Sequence, residues 1–379
     1  VAIRTGLFAL VMVSAVGGSL AIAAPASAAV STTPNPAPTF NGTVYATAYA
    51  GETAYVGGDF TVATFNGRSY TRNRLAAFDV RTGALRGWAP SADARVRAIA
   101  VSGGAVYIGG AFGYVSGARR DSLARLDAGT GAVHSFKHSL SGQPYSLAAA
   151  NGRLYAGGNI GSVDGQARSR LAAFSLSTGA LDGSWRPRAD STVEAVAATA
   201  DRVYVGGKFG EVNGVSQARL AAVHPSSGAL DTGFGARPAD IVHGLAVSGG
   251  AVYAAHGGPG GRVVAYGLDG TGRWNLTMDG DPHAVTVLDG VVYFGGHFDN
   301  VCRSARTGYQ GECLDGKSRR IKLGAADTGS GALLSWTANG NGSEGVFAMA
   351  VHTSLRKIAA GGAFTAINGT LRERFVQFG

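Results

Sequence analysis

One short phrase recurs through the chain and limits what the chain can fold into. Its clearest form is Val203-Tyr204-Val205-Gly206-Gly207-Lys208-Phe209, and variants stand at Tyr55–Phe60, Val106–Phe112, Leu154–Ile160, Val252–Gly258, Val292–Phe298 and Ile358–Phe364, making seven copies. Each has a β-branched or aromatic run suited to a pleated strand. Six follow it with a glycine pair, where a side chain would obstruct a bend or a neighbouring backbone. The leading positions of the pairs are Gly57, Gly109, Gly157, Gly206, Ala255 (in a degenerate copy), Gly295 and Gly361, spaced 40 to 66 residues apart. Short-stranded repeats of about 40–50 residues mark the blades of a propeller.

The second unit illustrates the plan. Strand a is expected at Val96–Val101, strand b at Ala105–Ile108, a loop from Phe112 to Asp121, strand c at Ser122–Leu126, and strand d near Phe136. Tight glycine-containing turns between short alternating runs signal antiparallel hairpins. No stretch after residue 30 keeps a 3.6-residue apolar period, so helix is expected to be nearly absent. The predicted fold is all-β: a seven-bladed β-propeller of four-stranded antiparallel blades over residues 40–379. Trp88, Phe136, Trp185, Phe234, Trp274 and Trp336 each precede the next strand a by eight or ten residues, a register that predicts packing between blades. The seventh unit ends at strand c, Phe375–Phe378. A segment around Pro36–Asn41 is therefore expected to supply its strand d and close the ring, removing exposed sheet edges.

The first 28 residues have Arg4, an apolar run from Leu7 to Ala23, and Ala26-Ser27-Ala28. That is the layout of a secretory signal peptide, and it predicts a secreted, extracellular protein with no membrane attachment after cleavage. Residues 29–39 form a Pro-rich lead. Cys302 and Cys313 share one loop, which in an exported protein reads as a local disulfide. The net charge of +9 is spread over all units, without the basic helix or basic-aromatic stripe of a nucleic-acid binder. It suits attraction to anionic surfaces such as wall polymers.

The fourth unit reads Gly206-Gly207-Lys208-Phe209-Gly210-Glu211-Val212-Asn213-Gly214, then Ala218-Arg219-Leu220-Ala221-Ala222, then Gly228-Ala229-Leu230-Asp231-Thr232-Gly233-Phe234. This resembles the delta-60 repeat of secreted bacterial β-propellers, the DUF5122-like group. The resemblance implies the fold and no shared catalytic signature. Some exported propellers of similar build are lectins or carbohydrate-binding parts of secreted toxin-type assemblies.

Near the start of strand a, one position varies while its neighbours repeat: Tyr45, Arg97, Tyr145, Glu194, His243, His283 and Phe347. Strand a lines the channel of a propeller, so these seven are expected to ring its mouth, on the face carrying the longer b–c loops. Aromatic faces stack on sugar rings while Arg, Glu and His pair with hydroxyls. The leading expectation is a lectin-like module that takes a glycan or anionic cell-surface polymer with no cofactor. An alternative makes Glu194, His243 and His283 ligands of a divalent metal in a lyase or hydrolase. A third is a docking platform for other secreted proteins, using the rim or the Cys302–Cys313 loop. No H-E-x-x-H, nucleophile elbow, C-x-x-C or EF-hand pattern occurs. Unit five is short through Gly257–Gly261, and unit six carries the insertion Asp299–Lys322; adjacent departures from a repeat are a place to seek a site. Arg170, Arg219 and Arg374 are expected to pair with turn acids such as Asp190 and Asp240.

Overall fold

The computed structural model describes residues 29–379; the signal-peptide expectation for residues 1–28 lies outside them. The described residues contain strands and no helix, so no helix among them is long and apolar enough to cross a membrane. Seven sheets repeat one plan. Their first strands, the predicted strands a, are Val44–Ala50, Val96–Ser102, Pro144–Ala150, Val193–Ala198, Val242–Ser248, Asp281–Leu288 and Val346–His352. Strand b pairs antiparallel with strand a on one side and with strand c on the other, as Thr53–Gly58 does with Val44–Ala50 and Leu75–Asp79.

The glycine pair is explained by two close approaches. A Cβ on its first member would strike the opening residue of strand a in the next sheet, as at Gly57 against Val96. On the second member it would strike the carbonyl just before strand a of its own sheet, as at Gly58 against Thr43. Each strand a packs on the strand a of the next sheet, and Val346–His352 packs on Val44–Ala50. At that last junction Gly361 meets Val44 just as Gly57 meets Val96.

The aromatic register performs as expected. Trp185 is fully buried against Tyr155 with ring centroids 5.1 Å apart. Its Nε1–H donates to the His224 carbonyl of the following sheet at 3.2 Å. Trp88 donates likewise to Asp127 and Trp274 to Thr328, each at 2.9 Å.

Four strands per sheet is not what most units adopt. Among the described residues only the fifth sheet has four, ending in Arg262–Gly267 and Gly272–Thr277. In units one to four and six the outer position shrinks to a single bridge, such as Phe78↔Leu85 or Phe174↔Leu181. Gly87 with Pro90, and Gly183 with Pro187, interrupt the ladder in the first and third units, because proline lacks the donor a ladder needs and glycine weakens a strand. Trp274 to Thr277 contains neither residue, and there the ladder continues.

The b–c loops also differ from expectation. Most fold into small hairpins, for example Tyr114–Val115 with Ala118–Arg119 and Glu211–Val212 with Val215–Ser216. Their turns are Ser116-Gly117 and Asn213-Gly214, with positive φ at both residues of each, the geometry of a two-residue hairpin turn. Arg170, Arg219 and Arg374 do not pair with acids. They sit at positive φ just before strand c and donate to the backbone carbonyls of Asn159, Lys208 and Ala363. Asp190 instead accepts the Gly210 and Glu211 N–H groups that start the hairpin.

The Pro-rich lead is packed rather than free. Asn35 N–H donates to the Gln377 carbonyl at 2.8 Å, matching Arg86 N–H to Ala77 in the first sheet, also 2.8 Å. Gln377 Nε2–H returns a bond to the Pro36 carbonyl at 2.6 Å. Thr39–Phe40 then pairs with Thr64 and Ala63 of the first unit's hairpin, while Phe40 N–H reaches the Glu373 carbonyl, so the contact with the last unit runs from Asn35 to Phe40, one residue earlier than the expected Pro36–Asn41. Further back, Val30 is buried and donates to Tyr293 Oη at 2.8 Å.

Candidate functional site

Every strand a breaks register with strand b at one place. The breaks fall between Val44 and Ala46, Val96 and Ala98, Pro144 and Ser146, Val193 and Ala195, Val242 and Gly244, Pro282 and Ala284, and Val346 and Ala348. The residue left over at each is one of the seven singled out from the sequence. A bulge places an extra residue outside the ladder and re-aims its side chain. Here the seven bulged side chains are brought together: Tyr45, Arg97, Tyr145, Glu194, His243, His283 and Phe347 line one opening of 420 Å³. Beneath them lies a layer of small residues, including Ala46, Ala98 and Gly244, and then an aliphatic layer with Ile99, Leu147 and Val285.

Five neighbouring pairs of the seven touch, in the order of the units. His243 and His283 meet edge to face with centroids 5.2 Å apart. His283 stacks on Phe347 at 5.3 Å, and Phe347 lies 5.2 Å from Tyr45. The Arg97 guanidinium sits over Tyr145 at 4.8 Å, and that of Arg95 over Tyr45 at 4.5 Å. Arg95 is held by Asp59 at 2.6 Å, a bond that raises its pKa further. One arc is therefore cationic and aromatic, while the opposite arc is imidazole and carboxylate.

Glu194 is ionised at neutral pH. Burial pushes its carboxyl up, but His243 and Lys208 outweigh burial and bring it down to about 2. Lys208 Nζ lies 3.0 Å from one carboxylate oxygen and His243 Nδ1 3.9 Å from the other. Burial, with the neighbouring His243 charge second, lowers His283 to about 4, leaving it neutral.

Sequence reasoning missed several members. Arg95 and Glu344 line the outer opening, and Asp281 joins His243 and His283 in a group whose ligand atoms all lie within 4.8 Å of one another. Glu194 is not in that group, so the trio within metal-ligand reach differs from the expected Glu194, His243 and His283. Arg95 and Asp281 each stand two residues before a bulged residue, and side-chain alternation along a strand was the signal that could have found them.

The adjacent short and long loops fit together. Thr307 and Gly311 of the insertion press against Gly260, leaving no room there for a side chain. Cys302 and Cys313 are joined by a disulfide, with Cα atoms 5.1 Å apart.

Comparison with known proteins agrees with this architecture. Residues 200–234 match the family model described as "Domain of unknown function (DUF5122) beta-propeller". The WD40 beta propeller domain of Doa1 superposes with a TM-score of 0.58 at 10% identity, covering 91% of this chain and 95% of that one. The chain is a β-propeller. The computationally designed Ika8 protein is also similar to it, with a TM-score of 0.52 at 15% identity, covering 90% of this chain and 98% of that one. At such identities the likeness concerns the fold alone. No curated protein matches the propeller.

Proposed function

We propose that this propeller is a secreted, non-enzymatic binding module that takes a glycan or anionic cell-surface polymer at the channel mouth. Its ring has seven blades with four strand positions each, closed by the N-terminal segment around residues 35–40. The Asn35–Gln377 bond and the Gly361–Val44 contact support closure. One observation carries the functional reading: seven side chains of five kinds, each freed from the ladder by a bulge, converge on one opening. A mere scaffold has no need to present Tyr, Arg, Glu, His and Phe together at its least regular position. The opening's volume falls in the range of roughly 300–1,000 Å³ usual for small-ligand sites. Its mixture of ring faces with Arg and Glu suits a polyhydroxylated or carboxylated sugar. The disulfide supports export, since such bonds persist outside reducing compartments.

A glycan array probed with the purified chain tests the reading. Binding that drops at least tenfold in Arg97→Ala and Tyr145→Ala supports it, and binding unaltered by both refutes it. A second reading, a docking platform in a secreted assembly, is favoured by Tyr309, 94% exposed on the disulfide-held loop with Leu314 also exposed. Co-purification of exported partners that is lost in Tyr309→Ala tests it.

A further inference from the structure

We propose that His243, Asp281 and His283 form a site for a first-row divalent transition cation, zinc fitting best, with open coordination positions facing the channel mouth. The proposal is independent of the glycan reading. Two imidazoles and one carboxylate are the donor set of such ions, whereas calcium and magnesium favour all-oxygen shells. Zinc bonds of about 2.0–2.2 Å put neighbouring ligand atoms ~3.4 Å apart in a tetrahedron. The three ligand atoms, already within 4.8 Å of one another, reach that spacing by small side-chain rotations.

Four further features point the same way. First, Asp281 is oriented: one carboxylate oxygen accepts the Gly258 N–H at 3.0 Å, while the other borders the space beside Gly257. Second, Gly257 keeps that space clear, because a Cβ there would press on His243 Nε2 and approach Asp281 Oδ2. Third, His243 turns Nδ1 toward Glu194, leaving Nε2 on the side of Gly257 and Asp281. A carboxylate behind a histidine is the usual support for a metal ligand, and Lys208 holds Glu194 in that place. Fourth, His283 Nδ1 is buried with no hydrogen-bond partner among the described residues, an unfavourable state that a bound cation would relieve. The degenerate fifth unit supplies His243 and the clearance, and the sixth supplies Asp281 and His283: Val252-Tyr253-Ala254-Ala255-His256-Gly257 departs from the repeat where the clearance is needed.

The test uses the whole chain, stripped with a chelator and titrated calorimetrically with zinc chloride and, separately, calcium chloride, with no glycan present. One zinc per chain and no calcium uptake are expected. Asp281→Asn, an isosteric change, should weaken zinc at least tenfold. Gly257→Ala should do the same without removing any ligand. Glu194→Gln should lose about 10–100-fold in affinity at unchanged stoichiometry. Near-UV circular dichroism of the four buried or half-buried tryptophans checks that each variant is folded. Absence of zinc uptake by the parent chain overturns the proposal, as does equal affinity in a folded His243→Ala/His283→Ala double variant. Failure of the glycan array leaves these readouts untouched, so the two conclusions stand or fall separately.

Discussion

Phe40 offers a direct measure of whether the two ends of the propeller hold each other. It is 1% exposed, with its ring 4.5 Å from Phe60 in the first unit and 6.2 Å, edge-on, from Phe375 in the last strand. Its N–H also donates to the Glu373 carbonyl at 3.2 Å. Replacing it with alanine removes a transfer contribution of about 1.5–3 kcal/mol. The residual cavity brings the cost to about 3–5 kcal/mol. Part of that cost belongs to the contact with Phe375 and is absent when Phe375 has already been truncated. A cycle of Phe40→Ala, Phe375→Ala and the double variant, followed by urea unfolding at constant m, should return a coupling of about 0.5–1.5 kcal/mol. A lead segment resting loosely on the surface predicts a single-variant cost within about 0.5 kcal/mol and no coupling. That outcome would refute ring closure by the N-terminal segment.

Acid should destabilise the propeller in two separable windows. Burial holds His256 at about 4 against the usual 6.5, so the unfolded chain takes up a proton that the folded chain refuses. Its contribution is complete above pH 6.5 and lost as pH falls toward 4, worth about 3 kcal/mol; His283, also held at about 4, acts in the same window, so His256→Gln should reduce the slope there and leave the share of His283. Glu194, held at about 2 against 4.5, contributes above pH 4.5 and loses that contribution as pH falls through 2. Glu194→Gln should act only in this lower window, and an unchanged acid limb would contradict the assignment. Removing the disulfide with Cys302→Ser/Cys313→Ser should cost about 2–3 kcal/mol for so short a loop. Amide exchange should quicken around residues 303–316 and stay unaltered in Val203–Gly207; a uniform change would count against a local role.

The repeat phrase is legible because it records local and nearest-neighbour constraints. A glycine is required wherever backbone meets the next sheet, and an aromatic wherever two sheets need a filler, so both return in each unit. The same logic exposed the seven mouth residues. A bulged side chain leaves the ladder and escapes the packing that makes its neighbours alike, so it alone varies. The hairpins in the b–c loops were signalled by Asn66-Gly67, Asp164-Gly165 and Asn368-Gly369, each with two positive φ values, and a loop was expected only because the strands are two to four residues long. The missing fourth strand was less legible. Leu85 and Leu181 keep the apolar character of a strand, yet each makes a single bridge before glycine and proline turn the chain inward.

By itself, then, the chain's order of residues determined the strand periodicity, the repeat count of the phrase, the aromatic register and the seven positions facing the opening. Only the tertiary structure decided which of those seven touch, that Asp281 rather than Glu194 comes within metal-ligand reach of both His243 and His283, and that Asn35 bonds Gln377. These are contacts between one unit and the next, or between the two ends of the chain, set by the rotation from one sheet to the next. A repeat records the constraints within its own unit and holds no record of which variable side chains that rotation brings together.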